Sequence, residues 1–312
     1  MKPIEEAAYN LLARNFALDG GDSLLFIHSP GKERFGAALA RACDDLRIDY
    51  RSVSLEAEKD YELPPAVARQ LVESTAALIS SRRSYTHTDG VRGAAATGVR
   101  VATNSQLNEA QLIEGLLADY EEIARQAERY AERLQAATEV RLESGDGAVL
   151  TFSIGEQAGL KETGLYTQPG NVGNLPAGEA ACGIDDLSGE GQLVVDGSWP
   201  GLGLLSSPLR LTFEKGALVK VEGELARQLE SILEEHGPQS RQLAELGLGM
   251  HPGIELQGIT LLDEKVAGTV HVAVGNDVSF GGSNGVGYHA DGVVTKPRLW
   301  LDGEEIPLPH TQ

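Results

Sequence analysis

Between residues 3 and 105 short apolar runs alternate with stretches of helical spacing, and this alternation restricts the fold more than any other feature of the chain. Ile4, Ala7, Ala8, Leu11, Leu12 and Phe16 recur at intervals of three and four, which predicts an amphipathic helix over 3–17. Ser23–His28 is a short apolar run between Gly20-Gly21 and Pro30-Gly31, the pattern of a buried strand. Helical spacing returns over 32–46 with Phe35, Ala38, Leu39 and Ala42. Further strands are expected at 49–54, 76–79 and 99–103, and helices at 64–74 and 89–97. Strands separated by helices in this way pair in parallel, with the helices on the sheet faces.

From Asn108 to Ala136 a charged, helix-favouring stretch carries Leu112, Leu116, Tyr120, Ile123, Ala127 and Tyr130 on one stripe and is expected to close a first domain. Beyond it lie most of the 37 glycines and two hairpin patterns, Val140–Leu142 with Ala148–Phe152 and Leu209–Phe213 with Leu218–Glu222. Helices are expected at 224–236 and 238–246. The 312 residues, 41% of them hydrophobic, suffice for two cored domains. The expected organisation is therefore an α/β domain over 1–136 followed by a strand-rich α+β domain over 137–312.

Twenty-six basic residues against 46 acidic ones leave a net charge of -20 and a pI near 4.7. Such a surface repels phosphate backbones, and no basic run offsets it, which argues against nucleic-acid binding. No apolar run approaches the ~20 residues needed to span a bilayer, and Met1–Glu6 is too acidic for a secretory signal, so a cytoplasmic location is expected. Cys43 and Cys182 are too far apart in sequence for a C-x-x-C motif and are expected to be buried, reduced thiols.

Metal-ligating residue types gather late in the chain. Three of the seven histidines, His251, His271 and His289, fall within 251–289, accompanied by Glu245 and Asp291. Imidazoles and carboxylates without a thiolate set suit an open catalytic centre for zinc, cobalt, manganese or iron rather than a closed structural zinc. In His289-Ala290-Asp291 the two donors, two residues apart on a strand, point to one face. Gly281-Gly282-Ser283-Asn284-Gly285 before them permits a tight backbone path beside a site or a plain hairpin turn. His271, inside the apolar Gly268–Gly275, also reads as a core histidine, and Glu179 and Glu245 read individually as loop carboxylates.

Together these words resemble the metal-dependent aminopeptidases of the aminopeptidase T type, the M29 peptidase family. The resemblance rests on Asn174–Glu179 (NLPAGE), Glu245 within ELGLG, Asp263–Gly275 (DEKVAGTVHVAVG), and Gly281–Asn284 followed by His289–Asp291, in the family's order. Ser84-Tyr85-Thr86-His87-Thr88, with Arg92 after it, is similar to an N-terminal word of the same superfamily. The resemblance implies Glu179, Glu245, His271, His289 and Asp291 as ligands of two divalent ions, zinc, cobalt or manganese, with one carboxylate shared. It further implies hydrolysis of an N-terminal residue from a small peptide or related amide, a homodimer, and a substrate-bounding first domain in which His87 or Arg92 lies near the cleft.

The tyrosine usual in that family shortly after His271 is absent from Val272–Phe280. Tyr288 or His251 is then a candidate for hydrogen bonding in the transition state, although a strand would turn Tyr288 away from His289, and Glu264 is a candidate general base. The superfamily resemblance extends to the iron enzyme 2,5-dihydroxypyridine 5,6-dioxygenase. In that alternative His289, Asp291 and either His271 or His251 would hold one Fe(II). Glu179 and Glu245 favour the two-metal form, and a non-catalytic metal-binding scaffold is a third class. The turn His28–Lys32 lacks the phosphate-loop spacing, so no nucleotide is expected.

Overall fold

The computed structural model describes residues 2–56, 58, 60–155, 159–185 and 187–309. The first part of the chain forms α1 (Pro3–Asn10), β1 (Ser23–His28), α2 (Glu33–Leu46), β2 (Asp49–Ser54), α3 (Pro65–Val72), β3 (Ala76–Ser81), α4 (Asp89–Ala96), β4 (Arg100–Ser105), α5 (Glu109–Gly115) and α6 (Tyr120–Ala136). There follow β5 (Glu139–Ser144), β6 (Ala148–Ser153), β7 (Leu160–Glu162), β8 (Val172–Asn174), β9 (Glu179–Gly183), β10 (Glu190–Val195), β11 (Ser198–Trp199), β12 (Gly203–Leu204), β13 (Leu209–Glu214) and β14 (Ala217–Glu222). The last elements are α7 (Ala226–His236), β15 (Leu243–Gly249), α8 (Thr260–Asp263), β16 (Val270–Gly275), β17 (His289–Val294), β18 (Arg298–Leu301) and β19 (Glu304–Ile306).

Contacts group the chain into two compact units, Met1–Ala124 with Glu162–Ala177 and Arg125–Lys161 with Gly178–Gln312. This grouping is not a single cut at 136/137. It divides α6, and residues 162–177 join the first unit because β8 pairs in parallel with β4.

The first unit carries the expected parallel sheet, in the order β2-β1-β3-β4-β8. The run Leu24–Ile27 of β1 is apolar at every position because both of its faces are covered. Leu24 and Phe26 pack with Leu12, Phe35 and Leu39, whereas Leu25 and Ile27 pack with Val67, Leu71 and Val91. The expected helix over 3–17 is α1 followed by a π-helical turn, Leu11–Asn15. The single helix expected over 108–136 is broken in two. Asn108 makes a capping box with Gln111, and Asp119 accepts from the Glu121 and Glu122 N–H groups, so each side chain starts its own helix.

The second unit contains a seven-stranded sheet, β14-β13-β10-β6-β5-β18-β19, in which both expected hairpins appear as β5/β6 and β13/β14. A five-stranded sheet, β17-β16-β15-β9-β7, shares its core. The segment 238–246 is not a helix. Pro238–Arg241 is a short 3-10 turn, and Leu243–Gly249 is a buried strand that pairs antiparallel with β9 and β16. Its Leu, Ala and Glu favour a helix locally, and the two-sided pairing overrides that preference. Cys43 and Cys182 are buried free thiols.

Candidate metal centre

Alternation along the five-stranded sheet builds the site. Ala180 and Cys182, Leu246 and Leu248, Val270, Val272 and Val274, and Ala290 and Val294 enter the core shared with the larger sheet. Glu179, Glu245, His271, His289 and Asp291 occupy the intervening positions and therefore the opposite face. The register then clusters them. Gly249 faces Glu179, Gly247 faces His271, Ala273 faces Asp291 and Gly275 faces His289.

The five side chains meet in two overlapping donor groups, Glu179–Glu245–His271 and Glu245–His289–Asp291. His271 Nε2 lies 3.0 Å from Glu179 Oε1 and 3.4 Å from Glu245 Oε1. His289 Nε2 lies 3.0 Å from Glu245 Oε2 and 3.3 Å from Asp291 Oδ1. Glu245 thus turns one carboxylate oxygen to each histidine. The three carboxylates are buried, His271 is fully so, and the His289 side chain is 30% exposed.

The electrostatics of this set call for cations. Burial opposes a charge on His289, but Asp291 and Glu245 prevail and raise its pKa to about 12. Burial likewise opposes a charge on His271, yet Glu179 and Glu245 raise its pKa well above the usual imidazole value. Glu179, resisted by burial, is held below the carboxylate range by Lys265 and His271, and Asp291, similarly resisted, by His289 and His271. A divalent metal fits the same donors, replacing the imidazole protons as the source of positive charge. His289 Nδ1 lies 2.6 Å from the Asn276 carbonyl, so an Nδ1–H donated there leaves the Nε2 lone pair facing the carboxylates, as a metal-ligating imidazole requires.

Lys265, Glu264 and Gly247 adjoin these donors. Lys265 is fully buried, and its Nζ donates to Glu179 Oε2 at 2.9 Å and to Glu264 Oε1 at 2.8 Å. Burial, reinforced by Glu179 and Asp291 and partly offset by Lys265, raises the Glu264 carboxyl to about 8. Gly247 lies beneath the donors, and a Cβ there would come within 2.0 Å of His271 Nε2 and 2.9 Å of Glu179 Oε1. Lys265 stands in the segment Asp263–Gly275, but its burial depends on strands distant in sequence.

The remaining candidates lie outside the donor groups. The Tyr288 ring stacks on His236 at 4.5 Å between centroids, and its hydroxyl accepts from Trp199 Nε1 at 3.2 Å. His251 is buried, its N–H donates to the Lys265 carbonyl, and its Nδ1 accepts from the Gly253 N–H. His87 and Arg92 belong to the first unit, where Arg92 donates to the His87 carbonyl and pairs with Asp89. Both line a cavity of about 500 Å³ with Thr86, Glu162 and Asn174. Thr88 caps α4, accepting from the Val91 N–H, whereas Thr86 joins a network with Thr103 and Asn174.

A family model described as NicX, 2,5-dihydroxypyridine 5,6-dioxygenase, matches residues 54–307. The chain belongs to the NicX family. Among solved structures, the NicX-family fold found here is similar to 2,5-dihydroxypyridine dioxygenase from Pseudomonas putida KT2440, with a TM-score of 0.79 and 18% identity over 98% of this chain and 95% of that one. It is also similar to AmpT from Thermus thermophilus, with a TM-score of 0.69 and 17% identity over 99% and 98% of the two chains. At these identities the likeness is one of fold. No curated protein matches the chain. Among the described residues no helix is long and apolar enough to cross a membrane.

Proposed function

We propose that this NicX-family protein is a metal-dependent hydrolase that uses two divalent ions, zinc, cobalt or manganese, to release an N-terminal residue from a small peptide or related amide. The observation that carries this reading is the position of Glu245, whose Oε1 faces one histidine and whose Oε2 faces the other. Each donor group supplies one imidazole and two carboxylates, with Glu245 common to both. One centre built on two histidines and one carboxylate would make no use of Glu179 and Glu245.

Two ions held there would supply Lewis acidity, polarising the scissile carbonyl and acidifying a water. Glu264 is the general base in this reading. Its carboxylate takes a proton from the attacking water on the oxygen that Lys265 leaves and returns it to the departing amine. Glu179 and Asp291 fix the two ends of the donor row, and His271 and His289 supply its imidazoles. His87 and Arg92 contact the substrate, and the protein acts as a cytoplasmic homodimer.

A second reading, a ring-cleaving dioxygenase with one Fe(II), is favoured by the family match over residues 54–307. His289 and Asp291, with His271, would be its ligands. Metal analysis by plasma mass spectrometry on protein purified anaerobically without chelators separates the two. About two zinc, cobalt or manganese ions per chain, with release of amine from aminoacyl amides, supports the hydrolase. About one iron per chain, with oxygen consumption on 2,5-dihydroxypyridine, replaces it with the dioxygenase.

A further inference from the structure

We infer that Lys265 makes the two donor groups unequal, so that a first divalent ion enters Glu245–His289–Asp291 and a second binds Glu179–Glu245–His271 more weakly. This rests on the two-metal reading and specifies how the centre fills. Three independent features of the site point the same way.

Charge is the first. Lys265 Nζ holds Glu179 Oε2 at 2.9 Å, while Oε1 of the same carboxylate faces His271. A dication drawn to this group therefore meets a carboxylate whose charge is already shared, with an ammonium on its far oxygen. Glu245 is common to both groups, and Asp291, the carboxylate particular to the other one, faces His289, whose proton a metal would replace, so that an entering ion displaces no fixed cation from it.

Orientation is the second. The Asn276 carbonyl fixes the His289 ring with Nε2 toward the carboxylates. His271 Nδ1 is buried with no hydrogen-bond partner, so that ring lacks the equivalent anchor. Access is the third, since the His289 side chain is 30% exposed and that of His271 only 1%.

The test is a titration of the metal-free full-length protein with Co(II) alone, followed by calorimetry and by the visible d–d absorption of the ion. Two events are expected, the second weaker by about tenfold or more. Lys265→Met should tighten the second event by about tenfold and move the first by less than about threefold, while Lys265→Arg should keep the wild-type spacing. Two events of equal affinity in the wild type, or a spacing unchanged by Lys265→Met, overturn the inference and leave the two-metal reading standing. A single event in both proteins overturns both. Should Lys265→Met fail to fold, Glu179→Gln and His289→Ala decide the order. Loss of the weaker event in Glu179→Gln and of the tighter one in His289→Ala supports the inference, and the reverse assignment overturns it.

Discussion

Gly247 and His271 are register partners across β15 and β16, and the imidazole occupies the space where a side chain on residue 247 would begin. A methyl group there would drive His271 Nε2 away from Glu179 and Glu245. Gly247→Ala is therefore expected to weaken binding of one Co(II) at least about tenfold and to cost about 1–3 kcal/mol of stability by overpacking. Calorimetric titration and urea unfolding measure the two effects. Wild-type metal binding in this variant would contradict the close approach.

Glu245 joins the two donor groups, so its loss cannot be confined to one ion. In Glu245→Gln metal content should fall to one ion per chain or fewer, and amide turnover should drop by at least about a hundredfold. Glu179→Gln, by contrast, should spare one ion. Equal stoichiometry for both variants and the wild type would remove Glu245 from its bridging position.

The metal-free protein should become less stable as pH rises. Burial, Glu179 and Asp291 raise the folded Glu264 carboxyl to about 8 from a usual 4.5, so its contribution is full below 4.5 and is lost as pH climbs through 8. His289, against the opposition of burial, is raised by Asp291 and Glu245 from 6.5 to about 12, so its contribution is full below 6.5 and fades toward 12. Between pH 6 and 9 both act with the same sign. Thermal melts of chelator-treated protein across that range should show a falling Tm, and Glu264→Gln should flatten its lower part. A Tm that rises with pH would contradict the assignment.

The cap of α4 offers a control away from the metal centre. Thr88 accepts from the Val91 N–H and donates to the Tyr85 carbonyl. Thr88→Ala should cost about 1 kcal/mol in urea unfolding, with both Co(II) events unchanged. A loss of metal binding in this variant would show that the cap does more than start a helix.

The strands of the first unit were legible because Leu24–Ile27 is buried on both faces and so apolar at every position. His289 and Asp291 were legible because a period of two needs only local sequence. The strand that carries Glu245 was not legible, since Gln242–Leu246 reads as helix until β9 and β16 are known to flank it. Lys265 has the sequence appearance of a surface residue, and its burial against Glu179 joins positions 86 residues apart. The break between α5 and α6 was carried by Asp119, a single polar side chain inside a continuous apolar stripe.

In β9, β15, β16 and β17 every second residue is oil and the intervening positions carry the donors, so pairing errors are punished twice. A slip by one residue would push Glu245, His271 and Asp291 among the leucines and valines and turn Leu246 and Val272 outward. No half-correct arrangement of these strands is tolerable, and a competent metal cluster doubles as a proofreading mark that the sheet has assembled in its proper alignment.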